Sequence, residues 1–452
     1  MFELLRKSLD LLAKRPEEKL AYLYGENFDL LPHLKLELRK KSYFYHCAFF
    51  ILDTMRSFSL KKNNVDKGIV FYGGTKNQLA SLKDVYTNLD INNTDFIVGV
   101  NCSRYIEYDF KNSIRTFRLN WKSILTSWLL CILCLPKLVY RLKKNGKNDT
   151  CKYSLHILMK SYIYIPAFID IFSANSGVRV LVMSNDHNVD NSCAKLVAES
   201  MSIKTIYLQH AAVSSLFPKL SFDFAILDGR HTLQEYNKNG IETDDVHKIF
   251  LTGMSKIKPK CDREKVSNRV GFSINKLDDI ELSISLVSSL LSLGYKVTVR
   301  PHPALSIEKI LVNYPKDIII SNPAEQSVAS YLSDISFHIS GESSIHLESV
   351  FSGVDSYYIR LHNFEHLYDY YQFVRNGLVT EIDLYNIRLF ESLEFKSRKE
   401  SAIKFYCESF NTPWWNKESR LNARIVNGVY LDDYNFIHKE LCTIDKKIYS
   451  LI

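Results

Sequence analysis

VGFSINKLDDIELSISLVSSLLSLGYKVTVRPHP, residues 270–303, is where the architecture first becomes readable. Val270 to Ile274 is a short apolar run of strand type. Asp278 to Leu293 carries apolar residues at helical spacing and meets Gly294, a residue that favours the position just past a helix end. Lys296 to Val299 is a second apolar run, closed by Arg300-Pro301-His302-Pro303. Strand, helix and strand in this order form one βαβ unit, and near-continuous apolar runs are what a parallel sheet buried on both faces requires.

The same alternation continues downstream. A helix is expected at Ser306 to Val312, a strand at Ile318 to Ile320 and a helix at Ala324 to Leu332. A strand at Ser336 to Ile339, a helix at Ser344 to Phe351 and a strand at Tyr357 to Ile359 follow. Upstream, strand-like runs occur at Ile69 to Tyr72 (closed by Gly73-Gly74), Phe96 to Val100, Val178 to Met183, Thr205 to Leu208, Phe224 to Leu227 and Ile249 to Leu251. The reading is α/β, with two Rossmann-like parallel-sheet domains and helical extensions at both ends. The expected segments are 1–67, helical and ending in Lys61-Lys62-Asn63-Asn64; 68–255, the first Rossmann-like domain; 256–390, the second; and 391–452, a helical tail. The polar stretch Lys256 to Arg269 is the expected link. A chain of 452 residues is long enough for two cores.

Composition narrows the function classes. Hydrophobic residues at 46% with 24% charged describe a globular protein, neither disordered nor membrane-embedded. The net charge of +8 suits an anionic ligand or an anionic membrane surface as well as a solvated basic face. No nucleic-acid recognition motif is present. Nine cysteines without a regular framework fit a reducing cytoplasm. Cys131 and Cys134 are spaced C-x-x-C but lack the second pair that a zinc site needs. The N-terminus reads as an amphipathic charged helix and lacks the apolar core of a signal peptide. The most apolar stretch, Ile124 to Leu135, is expected to stop at Pro136, short of the about 20 residues needed to span a bilayer. Lys137, Arg141, Lys143, Lys144 and Lys147 follow it, so 124–147 suits either a membrane surface or a buried helix with a polar loop.

In open parallel sheets, ligands bind beyond the carboxyl ends of the strands. At one such end, Arg300 and His302 are spaced by prolines that cannot continue a ladder, and a guanidinium with an imidazole makes a phosphate site. At another, Ser340-Gly341-Glu342-Ser343-Ser344 opens the helix that carries Glu348. Ser340, Ser343 and Ser344 offer hydroxyls beside free backbone amides, and Glu348 is placed to reach ribose hydroxyls.

These motifs together resemble the donor half of bacterial surface-polysaccharide GT-B transferases. The similarity is to the CDP-glycerol glycerophosphotransferase family and to the capsule and lipooligosaccharide sialyl- and Kdo-transferases with an HP motif and a serine pair. The resemblance implies two domains facing a cleft, with His302, Ser343 and Ser344 holding the donor phosphate. It also implies a first-domain histidine at His210, although Ala211 replaces the glycine that follows it in the phosphotransferases. The non-hydrolysing UDP-GlcNAc 2-epimerases have a similar layout, with paired glycines where this chain has serines.

His210 is the first choice of general base and Asp186 the second, since both follow strand-like runs of the first domain. No Asp-x-Asp motif occurs, so neither a metal ion nor another cofactor is expected. The expected partners are a nucleotide-activated donor, a CMP-sugar by preference, and a surface glycan or its lipid-linked precursor. The expected place is the cytoplasm, peripheral on the inner membrane. A CDP-polyol phosphotransferase and a non-catalytic scaffold of a polysaccharide assembly complex are the alternatives.

Overall fold

The computed structural model describes residues 1–31, 33–60, 65–100, 102, 114–174, 177–241, 248–255, 268–303, 305, 307–383, 400–435, 437–445 and 447–451. The expected turn at 61–64, most of the link at 256–269 and the start of the tail at 384–399 lie outside the described residues. The chain divides into two units. One comprises 1–210, 215–256 and 411–452; the other comprises 211–214 and 257–410.

In the first unit, β1 (Ile69–Gly73), β2 (Thr94–Val98), β3 (Ile114–Thr116), β4 (Val180–Met183), β5 (Lys204–Leu208), β6 (Phe224–Leu227) and β7 (Lys248–Leu251) pair in parallel. Their order is β7-β6-β5-β4-β1-β2-β3, so the direction of winding reverses between β1 and β4. Apart from the half-buried β3, the strands are short and buried along almost their whole length, which is why they read as apolar runs.

In the second unit, β8 (Arg269–Ile274), β9 (Lys296–Pro301), β10 (Ile319–Ile320), β11 (Phe337–Ser340), β12 (Asp355–Tyr358) and β13 (Thr380–Glu381) form an all-parallel sheet of order β10-β9-β8-β11-β12-β13. Numbered from β8, this is the 3-2-1-4-5-6 winding of dinucleotide-binding domains, with its reversal between β8 and β11. Helix Ile280–Ser292 starts at Asp279, whose carboxylate accepts from the backbone N–H groups of Glu281 and Leu282. It ends at Gly294 (φ +85°), whose N–H bonds Leu291 O while that of Tyr295 bonds Leu290 O. Only a residue at ease with positive φ closes both bonds, so Gly294 ends the helix as expected.

Besides the short strands β3 and β13, which were not expected, three features differ from expectation. Beyond the helices of the tail, β14 (Leu441–Asp445) and β15 (Ile448–Leu451) form a hairpin, and β15 pairs in parallel with β7. Helix Glu418–Leu431 places Leu421, Ile425, Val426 and Val429 in the same core as Ile69 and Phe71. The C-terminal segment is therefore part of the first domain. Next, the apolar helix does not stop at Pro136 but runs from Trp121 to Lys144, 24 residues, long enough to cross a bilayer. Pro136 is exposed, so the carbonyl that loses its donor can meet water, and the proline is tolerated. Finally, Arg300 does not leave the sheet. β9 continues through Pro301, with Arg300 opposite Ser273 and Pro301 opposite Ile274.

Candidate functional site

The second unit's reversal between β8 and β11 is flanked by the two motifs the sequence singles out. His302 follows β9 directly; its N–H bonds Ile274 O at 2.9 Å, and the residue is exposed. Ser340 to Ser344 follow β11. Ser343 and Ser344 are half-buried, and Ser344 stands at the N-cap of helix Ile345–Phe351 without making a side-chain cap bond. That helix has seven residues, so hydroxyls and backbone amides contribute more here than a helix dipole.

The turn carrying these serines is braced from beneath. Ser340 is fully buried, and its hydroxyl donates to Ser273 O at 2.9 Å. His346 Nε2 donates to Gly341 O at 3.0 Å while its Nδ1 accepts from Ser356 at 2.7 Å. Burial pushes the His346 imidazole down to about 4, which keeps it neutral in that role. Asn275 Nδ2 donates to Glu342 O. The Glu342 carboxylate accepts from Tyr358 Oη at 2.6 Å and from Tyr370 N at 3.0 Å. A turn held by this many bonds presents Ser343 and Ser344 in a fixed position.

Arg300 and Ser340 are thus placed differently from the sequence expectation. The Arg300 guanidinium is buried, donates to Ser321 Oγ at 2.7 Å and Gln326 O at 3.0 Å, and lies over the Tyr331 ring. In a strand, alternate side chains point to opposite faces, and here the guanidinium falls on the packed side. Burial lowers its pKa, partly offset by Tyr331 and Glu348. Glu348, half-buried one turn into the helix, therefore lies within electrostatic reach of Arg300.

Sequence reasoning missed a group of acids and an imidazole under the same turn. Asp278 follows β8, Glu342 follows β11 and His362 follows β12. His362 Nε2 is 3.9 Å from Glu342 Oε1, and its Nδ1 accepts from Phe364 N. Asp278 Oδ2 accepts from Asn275 N at 2.7 Å, whereas its Oδ1 is buried with no hydrogen-bond partner among the described residues. Burial raises the Asp278 carboxyl to about 7, against the pull of Asn275 and His362. A Cβ on Gly341 would stand 2.7 Å from Asp278 Oδ1, so only glycine lets the serine turn lie on this carboxyl.

In the first unit, His210 follows β5 and is half-buried. Asp186 follows β4, but both its oxygens are engaged. His187 Nδ1 lies 2.8 Å from Oδ1, and Tyr236 Oη donates to Oδ2 at 2.6 Å. This geometry makes Asp186 the group that orients His187. With Nδ1–H donating to Asp186, His187 Nε2 is the acceptor atom and takes a hydrogen bond from Asn185 Nδ2 at 3.2 Å. A carboxylate holding the far side of an imidazole is the arrangement of a general base. His187 was missed because the signal, Tyr236, comes from helix Arg230–Asn239, distant in sequence.

The β1/β4 reversal of the same sheet opens into a polar cavity of about 60 Å³ lined by Tyr72, Gly74, Gly99, Lys160, Tyr164 and Asp190, among others. Tyr72 Oη donates to Asp190 at 2.7 Å, and burial raises the Asp190 pKa. A Cβ on Gly74 would stand 2.0 Å from Asp190 Oδ2. Gly74→Ala is expected to destabilise the protein by about 3 kcal/mol through this overpacking, read as a lower denaturant midpoint. An unchanged midpoint would show that Asp190 turns aside freely.

Among the described residues, no three His, Cys, Asp or Glu side chains are grouped as a metal site requires. Cys131 and Cys134 are half-buried free thiols, and burial pushes Cys131 up to about 12, against the thiolate that zinc needs.

No protein-family model matches the chain, and no curated protein matches it in sequence. Solved structures are similar at low identity. The UDP-GlcNAc 2-epimerase of Methanocaldococcus jannaschii aligns at 13% identity and TM-score 0.48, covering 79% of this chain and 99% of that one. MurG of Acinetobacter baumannii aligns at 11% and 0.44, covering 81% and 99%. UGT89C1 of Arabidopsis thaliana aligns at 10% and 0.49, covering 80% and 99%.

Proposed function

We propose that the chain is a GT-B-like glycosyltransferase that moves a sugar from a nucleotide-activated donor to a bacterial surface polysaccharide or its lipid-linked precursor. It would act at the cytoplasmic face of the inner membrane. The observation that supports this most is the position of His302, Ser343 and Ser344 at the carboxyl edge of a 3-2-1-4-5-6 sheet, on either side of its reversal.

The donor's phosphate binds His302, the two serine hydroxyls and the amides of the turn. With Arg300 engaged inside the domain, this modest complement suits a single phosphate better than a diphosphate, which favours a CMP-sugar. Glu348 is assigned to the ribose. In the transfer, the acceptor hydroxyl gives its proton to His187 Nε2, which exchanges the Asn185 amide for it. The new C–O bond forms at the anomeric carbon as the bond from that carbon to the phosphate oxygen breaks. The nucleotide leaves with the electron pair, and its charge meets His302 and the serines. His210, at the end of the neighbouring strand, is the second candidate for the base. No step assigned to these residues calls for a metal ion.

The test is thermal stabilisation by CMP, CDP, UDP, GDP and ADP, repeated on His302→Ala. A ligand at 100 times its dissociation constant stabilises by about 2.7 kcal/mol. Stabilisation by CMP, absent in the variant, is expected. A response to CDP alone would favour transfer of a polyol phosphate, one to UDP would favour hexose transfer or epimerisation, and no response would favour a scaffold.

A further inference from the structure

Helix Trp121–Lys144 is amphipathic in the wrong sense for a soluble protein. Its packed face buries Ser123, Thr126 and Ser127 along with Ile124, Leu130, Leu138 and Leu142. Its outer face exposes Trp121, Leu125, Trp128, Ile132, Leu133 and Tyr140, with Ile132 70% and Tyr140 68% exposed. Trp121, Leu125, Trp128 and Ile132 follow one another at intervals of four and three, and Leu133 and Tyr140, seven apart, extend the same stripe. Helix Tyr43–Arg56 adds a second stripe, in which Phe44 is 84%, Ile51 50% and Met55 54% exposed.

The two stripes adjoin. Trp128 Nε1 donates to Thr54 Oγ1 at 3.2 Å, and Lys143 Nζ lies over the Tyr43 ring at 5.4 Å. The helices therefore run antiparallel, side by side. Single exposed apolar residues need no explanation, but a continuous double row of aromatic and branched side chains does.

Charge identifies what covers it. Helix Trp121–Lys144 contains no Asp or Glu, and helix Tyr43–Arg56 contains only Asp53, which pairs with Lys160 at 3.5 Å. Arg39 and Lys40 precede one helix, Lys143 and Lys144 end the other, and all four are exposed near the end where Tyr43 meets Lys143. Lys122 and Arg56, also exposed, stand toward the opposite end. An apolar strip with cations at both ends, and with Lys137 exposed between Leu133 and Tyr140, complements lipid headgroups that carry negative charge.

We propose that this two-helix face docks the protein onto the surface of an anionic lipid bilayer. The helix lies on the membrane and does not cross it, because its other side is fixed within the first unit. Arg141, on that helix, binds Glu17 Oε2 and Glu18 Oε1 at 2.6 Å each, and both glutamates are buried. The helix also packs against helices Phe2–Lys14 and Ser161–Ser173. The proposal shares with the proposed function only the setting at a membrane and does not depend on the donor chemistry.

The test is co-flotation of the full chain with vesicles of phosphatidylcholine alone or mixed with phosphatidylglycerol. Flotation with the mixed vesicles only, weakened by salt, is expected. Phe44→Glu combined with Ile132→Glu should abolish it. Lys143→Glu combined with Lys144→Glu should weaken partitioning roughly tenfold or more. All four positions are exposed, so the variants should keep the parent melting temperature and their response to nucleotides. No flotation of the parent, equal flotation with both vesicle types, or unchanged flotation of the apolar variant would each overturn the proposal. So would a vesicle-free dimer that the same substitutions dissolve, since the face would then belong to a second copy.

Discussion

His187→Ala is expected to lower the transfer rate roughly 10²- to 10⁴-fold while leaving nucleotide stabilisation unchanged. The range is what a positioned general base contributes, and nucleotide binding is assigned to the other sheet. Asp186→Asn discriminates between base and orienter. It preserves the shape and the bond from Tyr236, but an amide donates to Nδ1, so the proton moves to Nε2 and the accepting atom is lost. A large loss in both variants, with melting temperatures unchanged, assigns the proton to His187 with Asp186 as its positioning residue. Full activity in His187→Ala together with a large loss in His210→Ala would transfer the role to His210.

Asp278→Asn should stabilise the protein at alkaline pH and have little effect near pH 4. The folded carboxyl has a pKa of about 7 against 3.8 for an ordinary aspartate. Between those values the folded state retains a proton that the unfolded chain has already lost, so stability falls as pH rises through that window. At about 1.4 kcal/mol per pKa unit, the fall from pH 5 to pH 8 is roughly 2–4 kcal/mol. His362 draws the carboxyl down, Glu342 pushes it up, and burial exceeds both. Asparagine keeps an oxygen for Asn275 N–H and cannot ionise, so its profile should lack this fall. Denaturant titrations of parent and variant at pH 5 and pH 8 measure the difference. Parallel profiles would mean that the carboxyl ionises without penalty, its buried oxygen being reached by water.

Much of this was legible in the chain. The run from Val270 to Pro303 gave strand, helix and strand because parallel strands covered on both faces need unbroken apolar residues and because Gly294 supplies the turn. β3 left no such signal: its three residues are half-buried and include Arg115. β14 was hidden for a similar reason, since four of its five residues are exposed. At the site, sequence marked the right loops but not the directions of their side chains. Arg300 and His302 stand two residues apart, yet the strand continues one residue past Arg300, which leaves one buried and the other exposed. Asp278, Glu342 and His362 converge from the ends of three strands, a relation that exists only once the strand order is set.

The hairpin that joins β15 to β7 has a bearing on biosynthesis. During translation, the strands from β1 to β7 emerge early, but their sheet lacks the Glu418–Leu431 helix and the β15 strand until the ribosome has also delivered the second unit. The nascent first unit must therefore wait with an apolar surface uncovered and a sheet edge open, the kind of state that chaperones attend. The unit begun first is completed last, so a chain cut short before residue 418 is expected to misfold at its N-terminal half.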